Sequence, residues 1–331
     1  MVAIVIAPSD DQHALTVAWE IRRCGGDAVL LDMRDFPLSW SLTFSALGCG
    51  PASYSLSLRD GRLIADSEIT GLWWRRSGKF TLPGEVELED HRRICRNDCT
   101  SLFEGWIYSL GKRVINPFAD ELAARRKTFQ LAKASGCGFN VLDTIVSNSP
   151  AAVQAFIGDR PDAFIYKSLT SSTKLGVETR VLDEAATAHL ERLRFSPCIF
   201  QTRVDGGVDL RATVVDGRVF AAEVRANHPE AKVDWRLDPA VEVRPHDLPA
   251  EIEQSIRKLQ TQLGLRYGAY DLRIDQAGRY WFFEVNSGGQ YLFVEIGAGL
   301  EISREIAKSL LAGPAPDAPV AEGMLRSMTP A

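Results

Sequence analysis

The 331-residue chain is predicted to have an α/β fold that becomes α+β in its C-terminal half. Residues 1–32 alternate strand, helix and strand, which implies parallel pairing and a doubly wound sheet. From residue 208 onward, apolar and β-branched runs meet across short turns that contain Gly, which is typical of antiparallel hairpins. A composition of 45% hydrophobic and 24% charged residues is that of a globular protein. The length allows two or three domains with substantial cores.

Residues 1–118 are predicted to form the first α/β unit. Asp10 and Asp11 follow the first apolar run and can cap a helix, which Gly25 then ends. No G-x-G-x-x-G motif follows the first strand, so dinucleotide binding is unsupported there. The predicted elements are strands at residues 1–7, 27–32 and 69–74, a hairpin at 54–58 and 62–65, and helices that end near residues 24 and 111.

A central domain at residues 119–200 and a C-terminal domain at residues 201–312 are predicted to follow. Residues 313–331 contain repeated Pro and Ala and are expected to be disordered. The predicted helices are 120–135, 149–157, 248–264 and 302–311. The predicted strands are 140–147, 163–168 and 196–204, with hairpins at 208–215 and 218–225 and at 267–275 and 280–286. Residues 227–247 are predicted to be a loop.

Charge, hydropathy and cysteine usage exclude several classes of protein. A net charge of −5 without a long basic run argues against nucleic acid as the main partner. No apolar run approaches the roughly twenty residues that a membrane helix needs, and the first residues lack the basic start of a secretion signal. Six cysteines contain no Cys-x-x-Cys pair, so free thiols in a reducing cytoplasm are expected.

The last predicted hairpin carries the strongest chemical signal. Because side chains alternate along a strand, Asp271, Arg273 and Asp275 share one face of its first strand. Glu284 and Asn286 share one face of the second strand for the same reason. Oxygen ligands without a nearby His or Cys suit Mg²⁺, which binds through one or two carboxylates together with substrate phosphates. The sequence therefore predicts a metal and nucleotide phosphate site, provided that the two faces coincide.

The alternative for this hairpin is an ordinary amphipathic structure whose polar face meets water. Phe282, Phe283 and Val285 surround Glu284 so closely that its carboxylate is expected at the rim of a core. A carboxylate in that position needs a partner, which weakens the alternative.

Two other stretches are candidates for anion binding. Arg75 and Arg76 follow a predicted buried strand, and ligands of open α/β sheets lie beyond the carboxyl ends of strands. An equally good interpretation is a solvated arginine pair stacked on the preceding tryptophans. Lys167 and the small polar loop at residues 170–176 could approach phosphates, but the loop alone is weak evidence. A lysine such as Lys167, taken alone, is more often a strand lysine that reaches the surface than a ligand.

A series of short motifs runs along the chain in a fixed order. They are DDxH at residues 10–13, DMRDFP at 32–37, WWRR at 73–76, PCIFQ at 197–201, DLR at 209–211, FAAE at 220–223, DWR at 234–236, GAYD at 268–271 and FEVNSGGQ at 283–290. Together they resemble the ATP-grasp superfamily and, more closely, its graspetide (microviridin-type) ribosomal peptide ligases. The resemblance extends to about residue 312.

This resemblance implies an ATP-grasp fold in which an N-terminal pre-ATP-grasp domain is followed by a nucleotide site between the central and C-terminal domains. The implied catalytic residues are Arg211, Arg273 and Lys167. The implied Mg²⁺ ligands are Asp271, Glu284 and Asn286. The implied ATP contacts are Lys127, Lys167, Ser171, Ser172, Gly176, Gln201, Thr202, Arg203, Val204, Asp209 and Arg211. The implied peptide contacts are Arg75, Arg76, Arg225, Trp235 and Arg236.

The implied activity is an ATP-dependent ligation on a ribosomal precursor peptide that consists of a leader and a core. An Asp or Glu side chain would be activated as an acyl phosphate and then joined to Ser or Thr as an ester, or to Lys as an amide. The leader is expected on the hairpin at residues 208–225 and on the central helices, and a homodimer is a family expectation. One rival is a RimK-like ligase for amino acids or protein tails, which the WWRR motif disfavours. The other is a non-catalytic ATP-binding regulator, which the complete set of implied metal ligands disfavours.

Overall fold

The computed structural model describes residues 2–75, 78, 80–170, 179–226 and 241–313. The strands are β1 (Val2–Ile6), β2 (Asp27–Leu31), β3 (Ser41–Ser45), β4 (Ser53–Ser57), β5 (Leu63–Ala65), β6 (Ile69–Trp74), β7 (Val114–Ile115), β8 (Asn140–Val141), β9 (Thr144–Ser147), β10 (Phe164–Ser168), β11 (Arg180–Val181), β12 (Cys198–Thr202), β13 (Val208–Val215), β14 (Arg218–Arg225), β15 (Glu242–Pro245), β16 (Tyr267–Ile274) and β17 (Tyr280–Asn286). The α-helices are α1 (Gln12–Arg23), α2 (Glu89–Leu110), α3 (Phe118–Ala124), α4 (Lys127–Ser135), α5 (Pro150–Ile157), α6 (Glu184–Thr187), α7 (Ala250–Gln262), α8 (Leu292–Ala298) and α9 (Ile302–Ala312).

The N-terminal sheet has the strand order β2-β1-β6-β7, and all its pairs are parallel. Helices α1 and α9 cover one face, where Val17, Ile21 and Ile306 are buried against β1. Helix α2 covers the other face together with the small antiparallel sheet β3-β4-β5. Helices on both faces of a parallel sheet confirm the predicted doubly wound α/β unit.

Asp32 fixes the loop at the carboxyl end of β2. Its carboxylate accepts hydrogen bonds from the Ser9 N–H at 2.8 Å and the Arg34 N–H at 2.9 Å, and it is paired with the Arg34 guanidinium. Burial alone would raise its pKa, but these partners outweigh burial and lower the pKa from 3.8 to about 2. Ionised Asp32 therefore stabilises the edge of the sheet that faces the later domains.

The depressed pKa of Asp32 predicts a stability difference that depends on pH. The contribution of Asp32 is complete above the unfolded-state pKa and is lost as the pH falls from about 4 towards about 2, because the unfolded chain binds the proton first. We expect Asp32→Asn to lose at most about 2 kcal/mol of unfolding free energy near neutral pH, and the difference from wild type to shrink by pH ~3. Urea unfolding at both pH values measures it. Asp247→Asn, at an exposed position, is the control, and a difference that does not vary with pH would contradict the prediction.

Two antiparallel sheets form the rest of the chain. The smaller has the order β11-β10-β12-β9 and packs on α5. The larger has the order β15-β14-β13-β16-β17-β8, in which the short strand β8 alone among the described pairs runs parallel to its neighbour. Helices α4 and α7 cover one face of the larger sheet, and its other face bears the polar residues discussed below.

Two predicted elements are each divided in the structure. The helix predicted at 120–135 is broken at Arg125 and Arg126 into α3 and α4, and Arg126 has an extended backbone that makes Lys127 the first residue of α4. The strand predicted at 140–147 is broken after Val141, so that β8 joins the larger sheet while β9 joins the smaller one.

Six strands and α-helices were not predicted: β3, β7, β11, β15, α6 and α8. Strand β15 lies inside the predicted loop at 227–247, and helix α8 precedes the last helix. The division of the chain into domains at residues 118 and 200 stays a prediction. In the described part of the chain, no helix has the length and apolar character needed to cross a membrane.

Candidate functional site

A cavity of about 880 Å³ lies between the smaller and the larger antiparallel sheet. Strands β10 and β12 line one side, strands β13, β16 and β17 line the other, and the start of α4 also contributes. Positive side chains outnumber negative ones among its described lining residues: Arg75, Arg125, Arg126, Lys127, Lys167, Arg203 and Arg273 against Asp205, Asp209, Asp271 and Glu284. An excess of positive charge in a cleft attracts an anionic ligand.

Two carboxylates face each other on the larger sheet. The register of β16 and β17 places Asp271 directly opposite Glu284. Asn286 is the next residue of β17 on the same face as Glu284. The register then shifts at a β-bulge that pairs Leu272 with Phe282. Because of the bulge, both Leu272 and Phe282 are buried in the core, while Glu284 stays beside Asp271. The structure thus brings the three predicted metal ligands together.

Each of these carboxylates has a positively charged partner. Lys127 Nζ lies 3.0 Å from Glu284 Oε2, and Arg211 Nη1 lies 2.6 Å from Asp271 Oδ1. Arg211 is buried, and its Nη2 donates to the carbonyl of Gln290 at 3.0 Å. Arg211 is not one of the described residues that line the cavity, so its guanidinium acts on the cavity through Asp271.

The oxygen donors in this cluster fit a hard divalent cation. Asn286 is exposed, and its Oδ1 accepts the Gly288 N–H at 3.1 Å. A carbonyl oxygen has two lone pairs, so this bond leaves one for a ligand. Within the described ranges, no group of three His, Cys, Asp or Glu side chains could hold a metal. The amide oxygen of Asn286 therefore adds a third oxygen donor to those of Asp271 and Glu284.

Four of the implied ATP contacts, residues 201–204, lie at the end of β12 and directly after it. Thr202, Arg203 and Val204 line the cavity, and Lys167 lines it from the neighbouring strand β10. Gln201 is buried, and its Nε2 donates to Thr144 Oγ1 at 2.9 Å. The Gln201 side chain therefore also ties β12 to β9.

Arg273 and Asp209 form a two-pronged ion pair at the cavity wall. Arg273 Nε and Nη2 each donate to a different oxygen of Asp209 at 2.8 Å, and Nη1 donates to the Val204 carbonyl at 3.1 Å. The guanidinium also lies over the Phe283 ring, 5.5 Å from its centre. Bidentate pairs of this kind are geometrically well defined. Arg273 therefore joins Val204 and Asp209 to β16, the strand that carries Asp271.

Arg75 reaches the same cavity from the N-terminal sheet. Its side chain is fully buried, with Nε donating to Asp11 Oδ1 at 2.9 Å and Nη1 to the Gly289 carbonyl at 3.5 Å. Burial alone would raise the pKa of Asp11, but the Ala14 N–H and the Arg75 guanidinium outweigh it and lower that pKa. Arg75 Nη2 makes no hydrogen bond to any residue that the structure describes. A buried donor of this kind calls for an acceptor.

Besides Arg211, one described site residue is absent from the lining of the cavity. Arg225 is on the face of β14 opposite to that of Asp271 and is paired with Glu223. Asp275, which was expected to share the face of Asp271, instead closes the hairpin turn by accepting from the Arg279 N–H and from Trp281 Nε1, both at 2.9 Å. Six predicted site residues lie outside the described residues: Arg76, Ser171, Ser172, Gly176, Trp235 and Arg236.

Buried polar side chains that support the site were missed by the sequence analysis. Gln130 of α4 accepts the Val285 N–H at 3.0 Å and donates to the Val285 carbonyl at 2.8 Å, which fixes the residue between Glu284 and Asn286. Asn116 makes four hydrogen bonds to β16 and to the segment after β17. A polar residue on the apolar side of a helix was the available signal for Gln130. No local signal marks Asn116, because its partners are about 150 residues away in sequence.

Comparison with known proteins agrees with this architecture. The family profile of the MvdD pre-ATP grasp domain matches residues 1–121. The macrocyclase MdnC from Microcystis aeruginosa MRC, solved with its precursor peptide MdnA, shares 26% identity at a TM-score of 0.81, over 94% of this chain and 99% of that one. No curated protein matches the chain.

Two further structures share the fold at lower identity. The Chryseobacterium gregarium RiPP-associated ATP-grasp ligase, solved with ADP and a leader and core peptide, has 24% identity and a TM-score of 0.83 over 93% of this chain and 96% of that one. The ATP-grasp ligase PsnB, complexed with minimal precursor, Mg and ADP, has 23% identity and a TM-score of 0.74 over 94% and 96%. The chain therefore has an MvdD-type pre-ATP-grasp domain and, over nearly its whole length, the fold of the graspetide-type ATP-grasp ligases.

Proposed function

We propose that this chain is an ATP-dependent ligase that closes macrocyclic rings in a ribosomally made precursor peptide. The observation that carries the proposal is that Asp271 and Glu284 face each other on neighbouring strands, and that each is paired with a positively charged side chain. The basic cavity beside them is also lined by Lys167. That arrangement supplies oxygen ligands for a divalent cation beside positive groups for phosphates. MdnC was solved with a precursor peptide, which supports a peptide substrate for this chain.

ATP would lie with its base against residues 201–204 and its phosphates between Lys127 and Lys167. The phosphates are assigned to the lysines because Lys127 and Lys167 are positively charged and line the cavity. The base is assigned to residues 201–204, which also line it. Asp271, Glu284 and Asn286 would hold Mg²⁺, which neutralises charge on the β and γ phosphate oxygens when bound. The residues that resemble a lid, Ser171, Ser172 and Gly176, lie outside the described residues.

The proposed reaction has two steps, activation of a carboxylate and closure of the ring. A carboxylate oxygen of a core Asp or Glu attacks the γ-phosphorus, the bond from that phosphorus to the bridging oxygen breaks, and ADP leaves. A Ser or Thr hydroxyl, or a Lys amine, then attacks the acyl carbon, phosphate leaves with the former carboxylate oxygen, and the nucleophile loses its proton. Each ring therefore removes one water mass from the peptide. Catalysis rests on positioning and on charge stabilisation.

Of the described candidates Arg75 and Arg273, Arg75 would hold the acceptor carboxylate. Arg273 already donates through Nε, Nη1 and Nη2 to Asp209 and Val204. Arg75 lines the cavity, and its Nη2 is a buried donor without a partner among the described residues. A guanidinium Nη2 donates charge-assisted hydrogen bonds to a carboxylate in a fixed geometry, which a lysine does not reproduce.

This role of Arg75 predicts a defect in peptide binding. We expect Arg75→Lys to raise the peptide KM by about tenfold or more, as the loss of one charge-assisted hydrogen bond implies, with the ATP KM within about twofold of wild type. Steady-state ADP release with each substrate varied in turn measures both constants. Arg244→Lys on the exposed edge strand β15 is the matched control. An ATP KM that rises as much as the peptide KM would contradict the assignment.

The function is tested by co-expression with the short reading frames that neighbour the gene, followed by mass spectrometry of the peptides. The expected result is the loss of one water mass per ring, together with peptide-dependent ADP release in the purified system. Mild alkali then distinguishes rings, because esters are hydrolysed and amides persist. ADP release with free amino acids instead of peptides would favour the RimK-like ligase. ATP binding without ADP release under any condition would favour a regulator. The cytoplasmic location and a homodimer stay predictions.

A further inference from the structure

The segment that follows β17 is held by side chains from the N-terminal domain. This segment, residues 287–292, runs from the end of β17 to the first residue of α8. Asn116 Nδ2 donates to the Ser287 carbonyl at 3.1 Å, and Arg75 Nη1 donates to the Gly289 carbonyl. His13 accepts from the backbone at the far end. A domain that lies outside the two sheets of the cavity therefore determines the path of the chain beside it.

His13 acts in this contact as a hydrogen-bond acceptor. Its Nε2 lies 3.2 Å from the Tyr291 backbone nitrogen and 3.3 Å from that of Leu292, and both nitrogens carry hydrogen. An imidazole nitrogen can accept only when it is unprotonated, so Nε2 bears the lone pair and Nδ1 bears the hydrogen. Nδ1 is directed to Asp11, 3.7 Å away. The geometry thus selects one neutral tautomer of His13.

The same segment contacts Arg211 and Arg75. The Gln290 carbonyl accepts from Arg211, which is paired with Asp271. The Gly289 carbonyl accepts from Arg75 and, at 2.7 Å, from the Tyr267 hydroxyl. Burial raises the pKa of Tyr267 to about 12, so this hydroxyl remains a donor at ordinary pH.

The segment has no room to move towards Arg211. A Cβ atom on Gly289 would come within 2.5 Å of Ala269 Cβ and 2.7 Å of Arg211 Nη2. Such contacts are closer than real Cβ atoms show, so the backbone at Gly289 is packed directly on the guanidinium. Displacement of residues 289–292 would therefore displace the partner of Asp271.

We propose that His13 is a positioning residue for the ligase reaction: as a neutral acceptor it fixes residues 289–292 and, through them, Arg211 and Arg75. This role rests on the proposed function. Protonation would turn Nε2 into a donor, which repels the N–H groups of Tyr291 and Leu292 and would release the segment. Among the described residues, the groups around the ring include Asp11, whose negative charge favours the imidazolium, the Arg75 guanidinium, and the Tyr291 ring, which lies edge-on at 4.9 Å.

Two variants of His13 separate positioning from simple packing. His13→Gln keeps an acceptor oxygen at a similar reach and cannot be protonated, whereas His13→Leu removes the acceptor. We expect amide exchange at residues 291 and 292 to become about tenfold faster in His13→Leu at pH ~7.5, as the loss of two hydrogen bonds implies, and to stay near wild type in His13→Gln. In wild type, exchange corrected for its intrinsic pH dependence should rise at pH ~5.5, and in His13→Gln it should not.

Kinetics give a second readout. We expect kcat of His13→Leu to fall by about tenfold with the ATP KM unchanged, and His13→Gln to restore kcat and lose the acid limb of the pH profile. His189→Leu, at an exposed position, is the control. Unchanged exchange at residues 291 and 292 in His13→Leu, or the same acid limb in His13→Gln, would overturn the proposal. Should His13→Leu fail to fold, the exchange comparison between wild type and His13→Gln decides. Exchange needs no catalysis, so an inactive protein with the expected exchange pattern would refute the proposed function alone.

Discussion

Glu284→Gln is expected to lower ADP release and peptide dehydration by about three orders of magnitude while the fold remains intact. A bound divalent cation contributes several kcal/mol of charge stabilisation, and replacing one of its two carboxylate ligands by a neutral amide forfeits most of it. Glu284 and its partner Lys127 are each about a quarter exposed, at 24%, so the lysine freed by the change remains solvated. Activity is measured as peptide-dependent ADP release and as the loss of one water mass per ring, and thermal unfolding measures the fold.

The control and the second metal variant sharpen this test. Glu242→Gln makes the same chemical change on β15, outside the described lining of the cavity, and should leave activity unaltered. Asp271→Asn should be as inactive as Glu284→Gln but less stable, because it leaves the buried guanidinium of Arg211 without its charge partner. Full activity in either variant would remove the metal assignment.

Asn116→Ala is expected to cost about 3–5 kcal/mol of unfolding free energy, the largest stability effect predicted here. Asn116 Nδ2 donates to the carbonyls of Tyr267 and Ser287 at 2.9 and 3.1 Å, and Oδ1 accepts from the N–H groups of Arg266 and Tyr267 at 2.8 and 2.6 Å. Truncation leaves these backbone groups buried and unsatisfied. Urea unfolding of the purified variant measures the loss.

Asn140→Ala provides the matched control for Asn116. Asn140 is exposed and donates one hydrogen bond, to the Tyr280 carbonyl at 3.0 Å, so its truncation should cost less than about 1 kcal/mol. Asn116→Asp keeps the acceptor oxygen but loses the amide donor and should lie between the two. Similar losses for Asn116→Ala and Asn140→Ala would show that Asn116 does not join the N-terminal domain to the larger sheet.

The sequence predicted those parts of the fold whose signals are local. Hairpin β13-β14 and strand β6 have the predicted bounds, since alternating apolar residues and a short Asp-Gly turn specify a hairpin on their own. The same periodicity placed Asp271 on one face of β16 and Glu284 with Asn286 on one face of β17, but it left open whether the two faces coincide. The β-bulge that keeps Asp271 beside Glu284 was not predictable, because apolar residues such as Leu272 and Phe282 suit either register until the core packs around them.

The missed features depend on contacts between distant residues. The break between α3 and α4 falls in a run of good helix formers. It is stabilised by Gln130, whose side-chain amide donates to the Ala124 carbonyl at the end of α3. Strand β15 has only four residues and forms by pairing with β14. Helix α8 has seven residues, below the length at which amphipathic periodicity identifies a helix. The anchoring of residues 287–292 by His13 likewise joins groups nearly 280 residues apart.

The division of the strand after Val141 places the two chain connections between the antiparallel sheets next to each other. The chain enters the smaller sheet at residues 142–143 and leaves it at residues 203–207, and the Thr202 N–H bonded to the Asp143 carbonyl at 2.9 Å holds these two crossings side by side. Both connections to the smaller sheet therefore lie beside β9 and β12, and β10 and β11 lie further along that sheet, away from the connections.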